Sequence, residues 1–241
     1  MTYCVGLLLR DGIVLLSDTR TNAGLDNIAT YRKMFTFEDP GERVIVILTA
    51  GSLSVTQNVL ARLDEAIHDD APDTPNILTA ATMLQVAEIV GSTLNTVARE
   101  VSVKISSMEN QSATASLIVA GQRRGGAMRM FLVYPEGNFI EATEDTPYLQ
   151  IGEHKYGKPI LDRVIRPDTP LAEAEKAVLL SMDSTLRSNL SVGMPLDLAV
   201  IERDACRIGH ARRIEAGDAH FAAMSEAWSK ALRAAFAQIT L

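Results

Sequence analysis

Apolar residues along the chain first form short runs and then change to helical spacing. The runs predict strands over residues 3–9, 13–16, 33–37 and 44–49. The first two are separated by Arg10-Asp11-Gly12, whose Asp-Gly pair is typical of a hairpin turn. A polar stretch with Gly24 as a breaker covers residues 18–31. The chain therefore opens as a hairpin whose first strand begins at residue 2.

Two helices and a second block of strands follow. Val55, Val59, Leu63 and Ile67 lie four residues apart, which predicts an amphipathic helix over 52–68. After a loop at residues 69–75, helical spacing predicts a longer helix over 77–103. The pattern then predicts strands over 114–120, 128–134, 137–141, 148–152, 196–202 and 207–213, and helices over 158–164, 171–190 and 218–241.

This order of elements predicts an α+β fold. Blocks of strands alternate with blocks of helices, which favours antiparallel sheets with helices layered outside them. We find no repeat or linker, so residues 1–241 are predicted to form a single domain with a core over about residues 2–213 and a C-terminal helical extension over 218–241.

Composition excludes several functional classes. The formal net charge of −7 argues against nucleic-acid binding, and no apolar run reaches the roughly 20 residues that span a bilayer. No signal peptide is evident, and Cys4 and Cys206 fit buried thiols in a reducing compartment, so we expect a cytoplasmic protein. The four histidines and two cysteines show no metal-ligand spacing, and we expect no metal or other cofactor.

Candidate chemistry begins at Thr2. Removal of Met1 would place the Thr2 hydroxyl beside a free α-amine, and an amine next to a threonine hydroxyl is a known way to activate that nucleophile. An α-amine titrates near ~7.7–8.0, whereas a lysine titrates near ~10.4, so the amine is the better base at neutral pH. A Met-Thr start is also common in proteins without such chemistry.

Charged residues and a glycine next to the predicted strands add to this hypothesis. Asp18 ends the second strand and Lys33 opens the third, so they form either an ion pair beside the first strand or two solvated charges. A cationic Lys33 would lower the pKa of a nearby amine. Gly51 lies at a strand-to-helix junction, where its amide could stabilise an oxyanion or where the glycine could simply make the turn.

These residues together resemble the proteasome β-type subunits and the related HslV peptidase, which are N-terminal-nucleophile hydrolases. The resemblance rests on Thr2, on Ser17-Asp18-Thr19-Arg20-Thr21-Asn22-Ala23-Gly24, on Arg32-Lys33-Met34, on Thr49-Ala50-Gly51 and on residues 116–121, 137–142 and 187–193. Within the family, the Met-Thr start and the C-terminal extension resemble the bacterial branch known as the ancestral β-subunits.

The resemblance implies a four-layer αββα sandwich and threonine-type endopeptidase activity. Thr2 would be the nucleophile with its own amine as base, Lys33 would lower the pKa of the hydroxyl, and Asp18 would orient Lys33. The Gly51 amide would form the oxyanion hole, and Ser191 would help to hold the amine. In this resemblance Thr21 and Asn22 match the segment that pairs with the substrate backbone, and Thr49 and Leu53 fall on substrate-pocket positions.

Two segments depart from the family pattern. Ser188 stands where the family has Asp after the arginine of Arg-Asp-x-x-Ser-Gly, and Val192 replaces the first glycine of that stretch. The family's Gly-Ser-Gly-Ser stretch reads Gly152-Glu153-His154-Lys155 here, which makes Glu153 and His154 candidate replacements for an active-site serine. The departures bear on rate and substrate range more than on the class of chemistry.

The C-terminal helix carries an apolar stripe, which either packs on its own domain or contacts a second subunit. The stripe consists of Phe221, Met224, Trp228, Leu232, Ala235 and Ile239. The resemblance implies a peptide or unfolded-protein substrate and self-association into a ring or helical homo-oligomer, and it leaves an ATPase partner open. Two alternatives remain: an N-terminal-nucleophile amidase for a small amide or acylated peptide, and a non-catalytic ring subunit. The second alternative is disfavoured because Asp18 and Lys33 are both present and no helix precedes the first strand.

Overall fold

Strands and helices occur in alternating blocks, as predicted for an α+β chain. The computed structural model describes residues 2–22, 28–69, 75–105 and 114–240. The strands are β1 (Tyr3–Leu8), β2 (Gly12–Asp18), β3 (Arg20–Asn22), β4 (Ile28–Thr30), β5 (Met34–Asp39), β6 (Arg43–Gly51), β7 (Ala115–Arg123), β8 (Arg129–Val133), β9 (Phe139–Glu141), β10 (Tyr148–Gly152), β11 (Leu196–Glu202) and β12 (His210–Ile214). The helices are α1 (Leu53–Ile67), α2 (Met83–Ile105), α3 (Lys158–Val164), α4 (Leu171–Ser188) and α5 (Ala219–Gln238).

Two five-stranded antiparallel sheets form the centre of the molecule. The first has the order β10-β1-β2-β11-β12 and the second the order β5-β6-β7-β8-β9. In the first sheet Cys4 pairs with Ser17, and Ser17 pairs with Asp197 on β11. This register places Thr2, the residue before β1, next to the end of β2 that carries Asp18.

Apolar side chains form three clusters, one between the sheets and one on the outer side of each. Cys4, Leu15 and Leu48 belong to the cluster between the sheets. The helices α1 and α2 pack on the outer side of the second sheet, and α3 and α4 pack on the outer side of the first. Because both sides of the central strands are covered, β1, β2 and β6 are apolar along nearly their whole length.

The helix α2 begins later than the apolar spacing predicts. Residues 77–79 form a turn, in which the Asn76 side chain accepts hydrogen bonds from the amides of Leu78 and Thr79, at 2.8 and 3.0 Å. The helix begins only after Thr82, whose hydroxyl accepts a hydrogen bond from the Gln85 amide at 3.1 Å. Polar side chains thus override the apolar period at this end.

The polar stretch after β2 contains two short strands that the pattern does not predict. Strands β3 and β4 pair with each other, with Thr21 opposite Ala29. Gly24, the predicted breaker, lies outside the described residues, as do residues 70–74 of the predicted loop.

The last helix, α5, is attached through one end. The carboxylate of Asp218 accepts a hydrogen bond from the Phe221 amide at 2.8 Å, as expected of an N-cap. Ser225 is buried against α4, whereas Leu232 and Phe236 are 50% and 80% exposed. The apolar stripe therefore packs on its own chain only in its first half.

Three further findings concern the described part of the chain. No helix there is long and apolar enough to cross a membrane. Cys4 and Cys206 are both buried free thiols, as predicted. Histidine, cysteine and acidic side chains in those residues do not gather in a group that could hold a metal ion.

Candidate active site

Thr2 lies in a tight backbone environment next to β10. It is 7% exposed, and its carbonyl accepts a hydrogen bond from the Glu153 amide at 2.7 Å. Gly152 packs so closely that a Cβ atom there would lie 1.9 Å from the Thr2 carbonyl oxygen. Met1 lies outside the described residues. The backbone of Thr2 is therefore fixed from the β10 side.

Asp18 and Lys33 form the ion pair that the sequence suggests. Lys33 Nζ lies 2.8 Å from Asp18 Oδ1, and the two side chains are 6% and 0% exposed. Lys33 Nζ also donates a hydrogen bond to the Arg20 carbonyl at 2.6 Å. Removing one partner of such a buried ion pair destabilises the fold, because the other charge then stays buried without compensation.

The Asp18 carboxylate connects this pair to the strand that begins next to Thr2. Asp18 Oδ1 accepts a hydrogen bond from the Tyr3 amide at 3.1 Å, and Oδ2 accepts one from the Gly193 amide at 3.2 Å. Burial raises the pKa of the Asp18 carboxyl, while Lys33 and the two amides oppose that rise. The carboxylate thus links β1, the lysine segment and the loop before β11.

Tyr3 holds the first strand in place from the other side. Its ring is fully buried, and its hydroxyl makes 2.6 Å hydrogen bonds with the side chains of Ser181 and Gln150. A Cβ atom at Gly157 would lie 2.8 Å from the Tyr3 hydroxyl, so the cluster leaves no spare room. Sequence reasoning missed this role, because Tyr3 looks like any apolar strand residue.

Gly51 lines a small cleft whose other wall includes Gly152, the glycine that packs on Thr2. The φ of Gly51, +107°, is in the left-handed region, and a Cβ atom at Gly51 would lie 2.5 Å from the Thr114 carbonyl oxygen. Only glycine combines this conformation with this close approach. The cleft therefore brings the backbone of Gly51 to the same region as Thr2.

The four residues predicted to contact substrate occupy different environments. Leu53 lines a groove between β5 and α1 together with Tyr31 and Phe35. Thr49 is buried, and its amide donates a hydrogen bond to the Lys33 carbonyl at 2.9 Å. Thr21 lies on β3, directly after the carbonyl that receives Lys33 Nζ. Asn22 ends the same strand, and its side chain is not among the described groups.

Ser191 lies in the loop between α4 and β11. Ser191 is half-buried, and its amide donates a hydrogen bond to Asn189 Oδ1 at 2.9 Å. Ser188, which replaces the family's aspartate, is exposed at the end of α4. The loop's described contact with the ion pair comes from Gly193 instead. Val192 is buried in the cluster beneath α4.

Arg20 secures this loop and was also missed by sequence reasoning. Its guanidinium donates a hydrogen bond to the Leu190 carbonyl at 2.8 Å. A Cβ atom at Gly193 would lie 2.2 Å from Arg20 Nε, so the glycine makes room for the arginine. The sequence feature that could have indicated this role is the position of Arg20 between Asp18 and Thr21.

Glu153 and His154 contact the site through the backbone in the described structure. The Glu153 amide binds the Thr2 carbonyl, and its side chain is half-buried. His154 is exposed, and its Nδ1 lies 3.1 Å from the Gly152 carbonyl within the same turn. No contact between either side chain and Thr2 occurs among the described residues.

This arrangement has the chemical groups that acyl transfer needs. Thr2 supplies a hydroxyl, Lys33 a buried cation, and Gly51 a backbone amide at the cleft. Cys4 is a poor competing nucleophile, because burial, reinforced by the charge of Asp18, raises the pKa of its thiol.

Related proteins match nearly the whole length of this chain. The sequence profile of the family described as "Proteasome subunit" matches residues 2–201. An Anbu mutant from Hyphomicrobium sp. is 48% identical, with a TM-score of 0.93, over 100% of this chain and 99% of that one. Anbu (ancestral β-subunit) from Yersinia bercovieri is 42% identical, with a TM-score of 0.91, over 99% and 98%.

A third solved structure carries information on assembly. The helical assembly of the Anbu complex from Pseudomonas aeruginosa is 43% identical, with a TM-score of 0.89, and the match covers 99% of this chain and 97% of that one. A search of curated protein sequences finds no match.

Proposed function

Because the chain belongs to the proteasome subunit family, we propose that it is a threonine-type endopeptidase whose nucleophile is Thr2. The family profile and the similar Anbu structures confirm the resemblance predicted from the sequence. One observation carries the proposal: Asp18 binds both Lys33 Nζ and the amide of Tyr3, so the buried cation is fixed beside the residue that follows Thr2.

The proposed reaction begins when Met1 has been removed. The α-amine of Thr2 takes the proton of the Thr2 hydroxyl, and Oγ attacks the carbonyl carbon of the scissile peptide. Lys33 favours loss of that proton by its positive charge. The Gly51 amide donates a hydrogen bond to the oxyanion of the tetrahedral intermediate.

The reaction then proceeds in two stages, formation of an ester and its hydrolysis. The protonated amine passes its proton to the leaving nitrogen, the peptide bond breaks, and an ester forms between Thr2 Oγ and the acyl group. The amine next takes a proton from water, and the resulting hydroxide attacks the ester carbon. The bond from the acyl group to Thr2 Oγ then breaks, and the protonated amine returns its proton to Oγ, which regenerates Thr2. Ser191 supports the amine, while Thr21, Asn22, Thr49 and Leu53 form the surroundings of the bound peptide.

The proposal also covers the domain layout, the cellular location and the self-association of the protein. Residues 1–241 form one domain, with a four-layer αββα core over about residues 2–213 and a helical extension over 218–241. The three apolar clusters support the order helix, sheet, sheet, helix. The protein works in the cytoplasm on peptides or unfolded proteins and self-associates, as the Pseudomonas aeruginosa relative does in its helical assembly.

The proposal is tested by locating covalent labelling. Wild-type protein is treated with a β-lactone or epoxyketone inhibitor, and intact mass and peptide mass spectrometry report removal of Met1 and the labelled residue. We expect Met1 to be absent and the label to be on Thr2. Thr2→Ala should lose both labelling and peptide hydrolysis, and Thr2→Ser, which keeps a hydroxyl, should retain both in part. Equal labelling of Thr2→Ala would contradict the proposal.

A further inference from the structure

A carboxylate between the two sheets lacks a partner for one of its oxygens. Asp197 Oδ2 is buried and makes no hydrogen bond within the described residues, and Oδ1 lies a long 3.6 Å from Arg213 Nη1. The Asp197 side chain is 16% exposed. Buried polar atoms almost always have partners, so an orphaned oxygen points to a group that binds there in another state of the molecule.

The register places this carboxylate next to the end of β2 that carries Asp18. Asp197 on β11 lies opposite Ser17 on β2, and Ser17 precedes Asp18. The Ser17 hydroxyl is also buried without a hydrogen bond in the described chain. Ser17 and Asp197 therefore form an unsatisfied polar row next to Asp18.

A second arginine, Arg32, lines the same cleft as Asp197. Arg32 is exposed with no hydrogen bond among the described residues. Burial raises the pKa of the Asp197 carboxyl, and the positive charges of Arg213 and Arg32 oppose that rise. Arg213 is shared with Glu215, at 3.5 Å, and so satisfies Asp197 only in part.

Arg32 also borders the groove that Leu53 lines. The groove between β5 and α1 and the cleft at Asp197 have Arg32 in common. Arg32 immediately precedes Lys33, so a change in its position acts directly on the lysine segment. A peptide side chain that fills the groove restricts Arg32 on that side and leaves the cleft as the space for its guanidinium.

We propose that Arg32 and Asp197 are positioning residues, and that the Arg32 guanidinium binds Asp197 Oδ2 when substrate occupies the groove. The contact ties the segment that carries Lys33 to the sheet that carries Asp18, and it gives the orphaned oxygen a partner. This inference rests on the proposed function, because it assigns the pair a role in the reactivity of Thr2.

The test is a double-mutant cycle read by inhibitor labelling of Thr2. The variants are Arg32→Gln, Asp197→Asn and the double variant, each checked by mass for removal of Met1 and by thermal unfolding for folding. Each single change should lower the maximal labelling rate by about fivefold. The double variant should be no slower than the slower single variant, and Asp197→Asn should leave the half-saturating inhibitor concentration unchanged.

Two further variants separate positioning from a general structural effect. Arg32→Lys keeps the charge and should recover most of the rate, whereas Arg213→Gln removes the other neighbour of Asp197 and should change the rate by less than about twofold. Three results would overturn this inference and leave the proposed function standing. They are multiplicative losses of labelling rate in the double variant, an unchanged rate in Asp197→Asn, and an equal loss of rate in Arg213→Gln. A wild-type protein that does not label at Thr2 would overturn the proposed function and this inference with it.

Discussion

At the scale of single residues, the site depends on one buried carboxylate with several hydrogen-bond donors. Asp18 accepts hydrogen bonds from Lys33, Tyr3 and Gly193, so one carboxylate joins segments that are far apart along the chain. Hydrogen bonds to a buried charge are stronger than those between neutral groups. The side chain of Lys33, which lies just before β5, is therefore held by Asp18 and by the Arg20 carbonyl.

The first prediction concerns this carboxylate. Asp18→Asn keeps the shape but removes the charge, so Lys33 stays buried without its counter-ion. We expect the free energy of unfolding to fall by about 3–5 kcal/mol and the labelling rate of Thr2 to fall by at least about 100-fold. Urea denaturation and inhibitor labelling measure the two effects. Asp11→Asn, in the exposed first hairpin turn, is the control and should stay within about 0.5 kcal/mol of wild type.

The second prediction concerns the close contact at Gly152. Gly152→Ala places a methyl group where the Thr2 carbonyl lies, at a φ of +81°. Gly125→Ala is the matched control, because Gly125 has a φ of +68° and no atom within 4 Å of the added Cβ. We expect about 1 kcal/mol of destabilisation from the conformation alone in Gly125→Ala, and a larger loss in Gly152→Ala together with at least a tenfold slower labelling of Thr2. Similar effects of the two changes would show that the contact with Thr2 is unimportant.

At the scale of secondary-structure elements, α5 is attached to α4 by a closed set of polar contacts. Ser225 Oγ donates to Asp183 Oδ1 at 2.7 Å, and Arg187 donates to both Asp183 and Ser225, at 3.1 and 2.7 Å. Asp183 and Ser225 are buried. Beyond this point α5 is mainly exposed, so these three side chains set its direction.

The third prediction tests this attachment. Ser225→Ala leaves Asp183 Oδ1 without its donor, which should cost about 1–3 kcal/mol. Because α5 lies at the periphery, we expect faster hydrogen–deuterium exchange in residues 219–238 and unchanged exchange in β1 and β6. Ser229→Ala is the control, since Ser229 Oγ donates only to the Ser225 carbonyl within the same helix. An equal response to both substitutions would argue against the attachment.

At the scale of the whole molecule, the exposed half of α5 is the surface best suited to a second copy. Leu232 and Phe236 lie one turn apart on α5 and are 50% and 80% exposed, and Ile239, directly after the helix, is 72% exposed. The related Anbu complex from Pseudomonas aeruginosa forms a helical assembly. We therefore expect this apolar side to be covered by a neighbouring subunit.

The fourth prediction follows from that expectation. Truncation after Gly217 should reduce the mass of the assembly measured by light scattering, and Phe236→Asp should do so with the helix still present. Ala234→Asp, on the opposite side of α5, is the control and should leave the mass unchanged. An unchanged mass in both the truncated protein and Phe236→Asp would reject a role for α5 in assembly.

The sequence predicted much of the fold because most elements are set by local pattern. Strand β10 and helix α3 have the predicted boundaries, because each is a short segment whose flanking residues end it. The start of α2 was wrong because the side chains of Asn76 and Thr82 form local hydrogen bonds that compete with the apolar period. The pairing of β3 with β4 was missed because both are short and polar.

The candidate site was predictable only in part. Asp18 and Lys33 were identifiable because a charged side chain at the end of a buried apolar strand is costly unless an opposite charge pairs with it. Tyr3, Arg20 and Gly193 were not, because their contacts join residues up to 178 positions apart and leave no periodic trace. Contacts of this kind depend on the packing of the two sheets and the adjoining loop.

The bond from Gly193 to Asp18 spans 175 positions of the chain and has a consequence for biosynthesis. A ribosome makes Asp18 early and Gly193 late, so a nascent chain that ends before Gly193 cannot complete the carboxylate's set of donors. The candidate site is thus finished only when most of the polypeptide has left the exit tunnel. If the proposed function holds, this delay keeps a nascent chain from hydrolysing peptides during its own translation.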